Sequence, residues 1–481
     1  MTEYLNYFEV FTNILLLLAL GWYLITNLQW YNYKIERVVL KHHKQQWHII
    51  YFATPIVLFY LLPFEYFAIY FYLLYVTSLY LWNKNLSASV VLTGRVKRFL
   101  TILLAFAFIV DGLLFLSVDS NYGVAIVLIL TYAVTTVLEK IFFLSFKHKA
   151  KKRLEKINNL VTVAITASYG KTSIKNYLHQ VLRKKFVVYM TPRSVNTIGG
   201  ICKDVNDDLP LDTEVYIAEA GAREKGDIED IAMFLEPEYV VIGSVGEQHI
   251  EYFKTLDNII HTKMEILKSP KLIHGFVHTS VPILDYPTIT HFPQNLQVTQ
   301  SDLDGINFNI DIDGRTEHFH APILGAFNAI NLTAVILVAH KLGMKIEEIK
   351  AALNNIKAVD HRLHISRVNG KVILDDSFNG NLEGMLEAVK ISSTHDGRKV
   401  IITPGIVEST DEANIELAKA IDDVFDIAII TGDINQQILV NNIKKAQVVI
   451  LKDKSDMEVC LLENTKFGDL ILFANDAPNF I

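Results

Sequence analysis

VAITASYGKTSIKNYL, running from Val163 to Leu178, decides how this chain is read. A β-rich apolar run meets a short polar loop and then an amphipathic segment, which spells strand, tight turn and helix. The centre, Gly170-Lys171-Thr172-Ser173, has the make-up of a phosphate-binding loop. Backbone N–H groups at a helix N-terminus attract phosphate, a lysine adds charge, and a threonine hydroxyl can ligate Mg²⁺. The wide G-x-x-x-x-G-K-[ST] spacing is not met, because Ile165 occupies its first glycine position. The candidate nucleotide loop is therefore the shorter run Ala167, Ser168, Tyr169, Gly170, Lys171, Thr172 and Ser173.

Downstream, the runs VTVAIT, VYIAEAG, YVVIGSV, KVILDDS, KVIITPG, IAIITG and DLILFAN alternate with amphipathic stretches. That alternation predicts α/β units around mainly parallel sheets. Residues 295–323 read instead as an antiparallel edge or hairpin, and the helix NAINLTAVILVAHKLG ends at a glycine C-cap, Gly343. A second α/β block starts at AVDHRLHISRVNG. The expected domains are a membrane region over 1–146, a central α/β domain over 147–358 and a C-terminal α/β domain over 359–481.

Upstream lies an apolar region. Hydrophobic residues are 51% of the chain and charged ones 20%, with the apolar excess placed before residue 145. Val10 to Leu28 is long enough to span a bilayer. Trp47 to Trp82 is a hairpin of two short spans broken at Pro63-Phe64-Glu65, and Phe99 to Leu116 and Tyr122 to Leu138 complete five. Basic loops (Lys34, Arg37, Lys41, Lys44; Lys84, Arg95, Lys97, Arg98; then FKHKAKKRLEK) alternate with loops carrying none, at Glu65 and Asp119. The positive-inside rule then puts the N-terminus outside and everything after residue 145 in the cytosol. Asp111 falls inside the fourth span, where a carboxylate is a functional candidate. The net charge of −7 gives no reason to expect nucleic acid, and Cys202 and Cys460 form neither a disulfide framework nor a zinc pattern.

Three further groups follow the loop. Glu219 ends a strand, where ligands of α/β sheets bind; His249 follows another strand in SVGEQHIEYF; Lys263 lies on the next helix. Each alone would read as structural. Together at successive strand ends they point to a shared metal–phosphate site.

In this order of motifs the chain resembles the Mur ligase family, the ATP-dependent amide-forming enzymes of peptidoglycan synthesis. The family's T-G-x-x-G-K-[ST] loop, strand-end Glu, H-[IL]-E segment and later Lys are matched in sequence. GAFNAIN stands for G-x-H-N-x-x-N, and Arg362 opens the last domain. ILDDSFNGNLEGM is similar to the signature of the branch that joins D-alanyl-D-alanine to UDP-MurNAc-tripeptide, and TPRSVNTIGGI resembles a substrate-side segment.

The resemblance implies catalytic roles for Lys171, Lys263, His249 and Arg362, and metal ligation by Thr172, Glu219, His249 and Lys263. It places Asn328, Asn331, Arg362 and Asp376 around ATP, and Thr191, Asn196, Asn379 and Asn381 toward the substrate. It implies ATP and Mg²⁺, with a second Mg²⁺ held through a carbamylated Lys263. The implied partners are a peptidoglycan precursor, D-Ala-D-Ala, the bilayer of a bacterial plasma membrane and membrane-bound cell-wall proteins. Three departures stand out: Ala167 replaces the loop's first glycine, Phe327 replaces a histidine, and the membrane region stands where the family carries its UDP-binding domain. The rival readings are a related ligase with a lipid-linked acceptor, a membrane scaffold with a retained ATP site, and an ATP-driven transporter, for which no ABC-type signature follows the loop.

Overall fold

The computed structural model describes residues 2–40, 42, 44–86, 90–111, 113, 123–246, 250–282, 287–377, 381–407 and 409–475. The chain divides into two compact units, Met1–Phe146 and Lys147–Ile481.

The first unit is helical. Three helices are long and apolar enough to cross a membrane: Tyr7–Trp30, Phe64–Lys84 and Gly123–Leu154, whose last residues belong to the second unit. The other two expected spans are also helical, but Gln46–Leu61 is shorter, and Gly94–Phe106 runs on into a π-helical turn at Ala107–Asp111. Three of the five expected spans are thus long and apolar enough to cross a membrane among the described helices. The expected break before Pro63 is present: Leu62 leaves the helix with extended backbone, as a residue preceding proline prefers. The Asp111 side chain lies outside the described residues. Outward positions are apolar, including Leu73, Leu74, Phe108 and Ile129, while Thr12, Asn13, Thr26 and Asn27 are buried. That inversion suits a helix bundle in an apolar solvent, where polar groups must find partners inside.

The second unit contains three sheets. The first is wholly parallel: β1 (Val161–Thr166), β2 (Val188–Met190), β3 (Val215–Glu219), β4 (Tyr239–Ile242), β5 (His274–His278) and β6 (Ile289–Phe292), ordered β2-β3-β1-β4-β5-β6. From β1 the chain builds one side with β2 and β3, then crosses to the other with β4. The crevice at the carboxyl end of β1 is thus a topological switch point, where α/β sheets bind ligands.

The stretch at 295–323 forms a three-stranded antiparallel sheet, β7 (Gln297–Asp302), β8 (Gly305–Ile312) and β9 (Arg315–Ala321). Phe308 and Phe319 on its inner face stack at 5.7 Å and join the core of the parallel sheet. Helix Phe327–Lys341 is buried on nearly every face between that core and helix Lys171–Leu182. Tyr177, Leu178, Val181 and Leu182 line the contact. Each such side chain contributes roughly 1.5–3 kcal/mol by burial.

The third sheet comprises β10 (His364–Val368), β11 (Lys371–Asp376), β12 (Lys399–Thr403), β13 (Ile427–Thr431), β14 (Gln447–Leu451) and β15 (Leu470–Ala474). It is ordered β10-β11-β15-β12-β13-β14, and only β10 runs antiparallel to its neighbour.

Candidate active site

The loop after β1 enters helix Lys171–Leu182 through Gly170, whose φ of 80° is left-handed. No side chain caps this helix, so the first-turn N–H groups of Lys171, Thr172 and Ser173 are left for a ligand. The N–H groups of Ser168 and Tyr169 instead donate to the Ser244 carbonyl, and the Ser168 hydroxyl donates to that of Gly246. These bonds fix the loop against the strand-end segment after β4.

Glycine is needed at 170 twice over. A Cβ there would lie 2.4 Å from Asn331 Oδ1, and φ is positive. Gly170→Ala is expected to cost about 1–3 kcal/mol of stability and to weaken ADP binding by about tenfold or more, read by calorimetry. Ala167 is the opposite case. Its φ is not positive, and its methyl fits because residue 243 is glycine: a Cβ at Gly243 would sit 3.0 Å from it. Ala167→Gly is expected to leave ADP affinity within about twofold.

The Lys171 ammonium turns back into the loop and donates to the carbonyls of Ala167 (2.8 Å) and Ser168 (2.9 Å). Burial pushes its pKa down to about 8, opposed by Glu219 and reinforced by Arg362. Glu219, at the end of β3 and 1% exposed, accepts from Thr172 Oγ1 at 3.1 Å and from Asn196 Nδ2 at 3.1 Å. Its own N–H donates to Thr191 Oγ1 at 3.1 Å. Lys263 is 4% exposed, and burial lowers its pKa to about 7, reinforced by Lys171 and opposed by Glu219, Asp227 and Glu265. Lys171, Lys263, Thr172 and Glu219 thus share one field. His249 and Asn379 lie outside the described residues.

Asn331 covers Gly170 and donates to Asn328 Oδ1, while Asn328, 2% exposed, donates to the Leu324 carbonyl. Asn328 therefore supports Asn331 over the loop. The ring of Phe327 packs against the core of the third sheet, and Gly325, at φ 90°, leaves it room. From the third sheet, Asp376 accepts the Leu363 N–H at 3.0 Å. Asp375 meets the His361 imidazole at 2.7 Å and accepts from the Ser377 hydroxyl at 2.6 Å. His361 and Leu363 have φ of 61° and 50°. The two carboxylates hold a strained turn that carries Arg362 into the field of Lys171 and Tyr177. Asn381 caps helix Leu382–Ser393 by accepting the Gly384 N–H.

Sequence reasoning missed the Asp375–His361–Ser377 cluster, which no spacing rule announces. It also missed Lys175, whose signal was present: a lysine on the apolar stripe that continues through Leu178 and Leu182.

The donor set fits a magnesium nucleotide. Mg²⁺ takes one or two carboxylates and completes its shell with phosphate and water, which Thr172 and Glu219 allow. Among the described residues no three His, Cys, Asp or Glu side chains converge into a self-sufficient metal cage. Thr166 Oγ1 and the Tyr177 hydroxyl are buried beside the loop without a hydrogen bond among the described residues.

Residues 165–339 match the Mur ligase middle domain. The UDP-N-acetylmuramoyl-tripeptide–D-alanyl-D-alanine ligase of Bacillus subtilis is 27% identical over 67% of this chain and 74% of its own length. The same enzyme of Borreliella burgdorferi is 30% identical over 47% of this chain, and the match spans about half, 51%, of its length. Among solved structures, MurF of Thermotoga maritima in complex with ADP aligns with a TM-score of 0.58 at 22% identity, over 69% of this chain and 80% of that one. A strand-end loop on a switch point, an adjoining carboxylate and the family match agree: residues 165–339 of this chain are similar to the Mur ligase middle domain.

Proposed function

We propose that this protein is an ATP-dependent ligase that joins D-alanyl-D-alanine to the terminal carboxylate of UDP-MurNAc-tripeptide. The observation that carries the reading is the convergence of Lys171, Thr172, Glu219 and Lys263 at the carboxyl edge of one parallel sheet. The curated relatives carry that activity in their names. MgATP supplies the activated phosphoryl group. The acceptor carboxylate takes it to become an acyl phosphate, the amine of D-Ala-D-Ala attacks the carbonyl carbon, and phosphate leaves.

Lys171 and the first-turn amides hold the phosphates, and Arg362 brings positive charge from the C-terminal domain. Thr172 and Glu219, with His249 on the family resemblance, would hold Mg²⁺, which would neutralise phosphate charge. The lowered pKa of Lys263 leaves much of its amine neutral near pH 7, the form that takes up CO₂, and its carbamate would supply an anionic ligand for a second Mg²⁺. Thr191, Asn196, Asn379 and Asn381 belong to the acceptor side, Asn331 and Asp376 to the nucleotide side. The domains are 1–146, 147–358 and 359–481, the first with five spans and an outside N-terminus. The ligase half faces the cytosol of a bacterial plasma membrane, near membrane-bound proteins of wall synthesis.

A second reading has one observation in its favour: a helical unit with three membrane-long apolar helices precedes the matched region. A ligase so placed could take a lipid-linked acceptor. The test is phosphate release by the detergent-solubilised full-length protein given ATP, Mg²⁺, UDP-MurNAc-tripeptide and D-Ala-D-Ala, each omitted in turn. Release needing all four supports the first reading. ATP binding without turnover sinks that acceptor and sends lipid-linked ones to trial; no ATP binding leaves a scaffold.

A further inference from the structure

Lys175 has no role in the chemistry above, yet no lysine of the second unit is more deeply enclosed. It lies one turn beyond Lys171 and its side chain is wholly buried. Lysine is almost never buried to that degree without a partner. Here the ammonium has two: Glu219 Oε2 at 3.2 Å and the carbonyl oxygen of Arg193. Arg193 has φ of 45°, a left-handed conformation that costs a non-glycine residue energy.

The surroundings give this bridge a direction. On one side is the carboxylate that, on the ligase reading, faces the cation. On the other is the segment Thr191–Asn196, which meets Glu219 again through the Thr191 hydroxyl and the Asn196 amide. Gly221 fastens the same segment from behind: its N–H donates to the Asn196 carbonyl, and a Cβ there would lie 2.7 Å from the Asn196 side chain. The strained residue in the middle of the segment is thus tied to the metal-side carboxylate by a buried cation.

We infer that Lys175 is a positioning residue that couples the cation-binding carboxylate Glu219 to the acceptor-side segment Thr191–Asn196. The inference rests on the ligase reading and adds a link between two of its subsites. A divalent cation approaching Glu219 is repelled by the ammonium and competes with it for Oε2. When the carboxylate turns to the metal, Lys175 is left to the Arg193 carbonyl, and the acceptor segment shifts its balance of bonds. By linkage, ordering of that segment must in turn change the affinity for the cation.

Lys175→Met keeps the length of the side chain and removes its charge. Its half-saturating Mg²⁺ is expected to fall and its KM for UDP-MurNAc-tripeptide to rise, each by about fivefold or more, the lower end of coupling between sites. KM for ATP should change little. Opposite movements are the signature, since general damage to the core weakens every ligand together. Both constants unchanged, or both weakened, would overturn the coupling.

If the variant does not fold, hydrogen exchange of the wild-type protein decides. Residues 191–197 should exchange differently with ADP alone and with Mg·ADP. Protection of 168–173 by ADP without a metal-dependent change at 191–197 overturns the coupling alone. Absence of protection at 168–173 overturns the ligase reading and the coupling with it.

Discussion

Lys171→Met is expected to lower kcat for phosphate release by about 10²–10³-fold, the loss seen when one preorganised donor is removed from a developing charge. The folded protein should not suffer. The wild-type amine pays a desolvation cost, visible in a pKa lowered to about 8 chiefly by burial, and its hydrogen bonds go to two loop carbonyls. A thioether of similar length removes that cost, so the melting temperature should hold or rise while turnover collapses. A variant that lost both would instead mark Lys171 as a structural plug.

The second large effect concerns Lys263 and pH. Its amine ordinarily titrates at 10.5 and is brought to about 7 by burial. Between pH 7 and 10.5 the unfolded chain therefore holds a proton that the folded chain lacks, and stability from this group rises with pH across that window. Below about pH 7 the folded chain must hold the proton too, at full cost. At ~1.4 kcal/mol per pH unit, that cost approaches about 5 kcal/mol.

Lys263→Met should thus be more stable than wild type at pH 6 in CO₂-free buffer, with the difference shrinking toward pH 10.5. Urea unfolding at several pH values measures it; a difference that grows with pH would refute the assignment. On the proposed ligase reading the same variant should also lose about 10²-fold in turnover, because its side chain can carry neither a charge nor a carbamate. The wild-type kcat/KM should rise through about pH 7 as Lys263 becomes neutral and fall above about pH 8 as Lys171 loses its charge.

The strands that carry the site were legible because parallel strands buried on both faces read as unbroken apolar runs. VTVAIT, VYIAEAG and YVVIGSV became β1, β3 and β4. Val188–Met190 and Gln447–Leu451 were not, since both are edge strands with partly open positions and the first has only three residues. Thr172 and Glu219 meet as their positions suggested. The bond of Asn328 to the Leu324 carbonyl and the helix cap made by Asn381 could not be read, because a side-chain amide serves a ligand or a neighbouring backbone group equally well. The tolerance of Ala167 depended on φ and on Gly243, a residue 76 positions away in sequence. The apolar helices of the first unit were visible as apolar runs, whereas their unbroken length depended on where proline and π-turns interrupt them.

The tail of helix Gly123–Leu154 sets where the second unit can be cut free. Lys151 donates to the Phe234 carbonyl at 2.9 Å and pairs with Glu236 at 2.9 Å, Arg153 donates to the Leu209 carbonyl, and Ala150 is fully buried. A fragment beginning at 160, just before the first strand, would strip a whole turn of its own packing and expose the back of Phe234 and Leu209. One beginning at 147 keeps it. The shorter piece should therefore be the more aggregation-prone of the two, although it still contains the whole matched stretch 165–339.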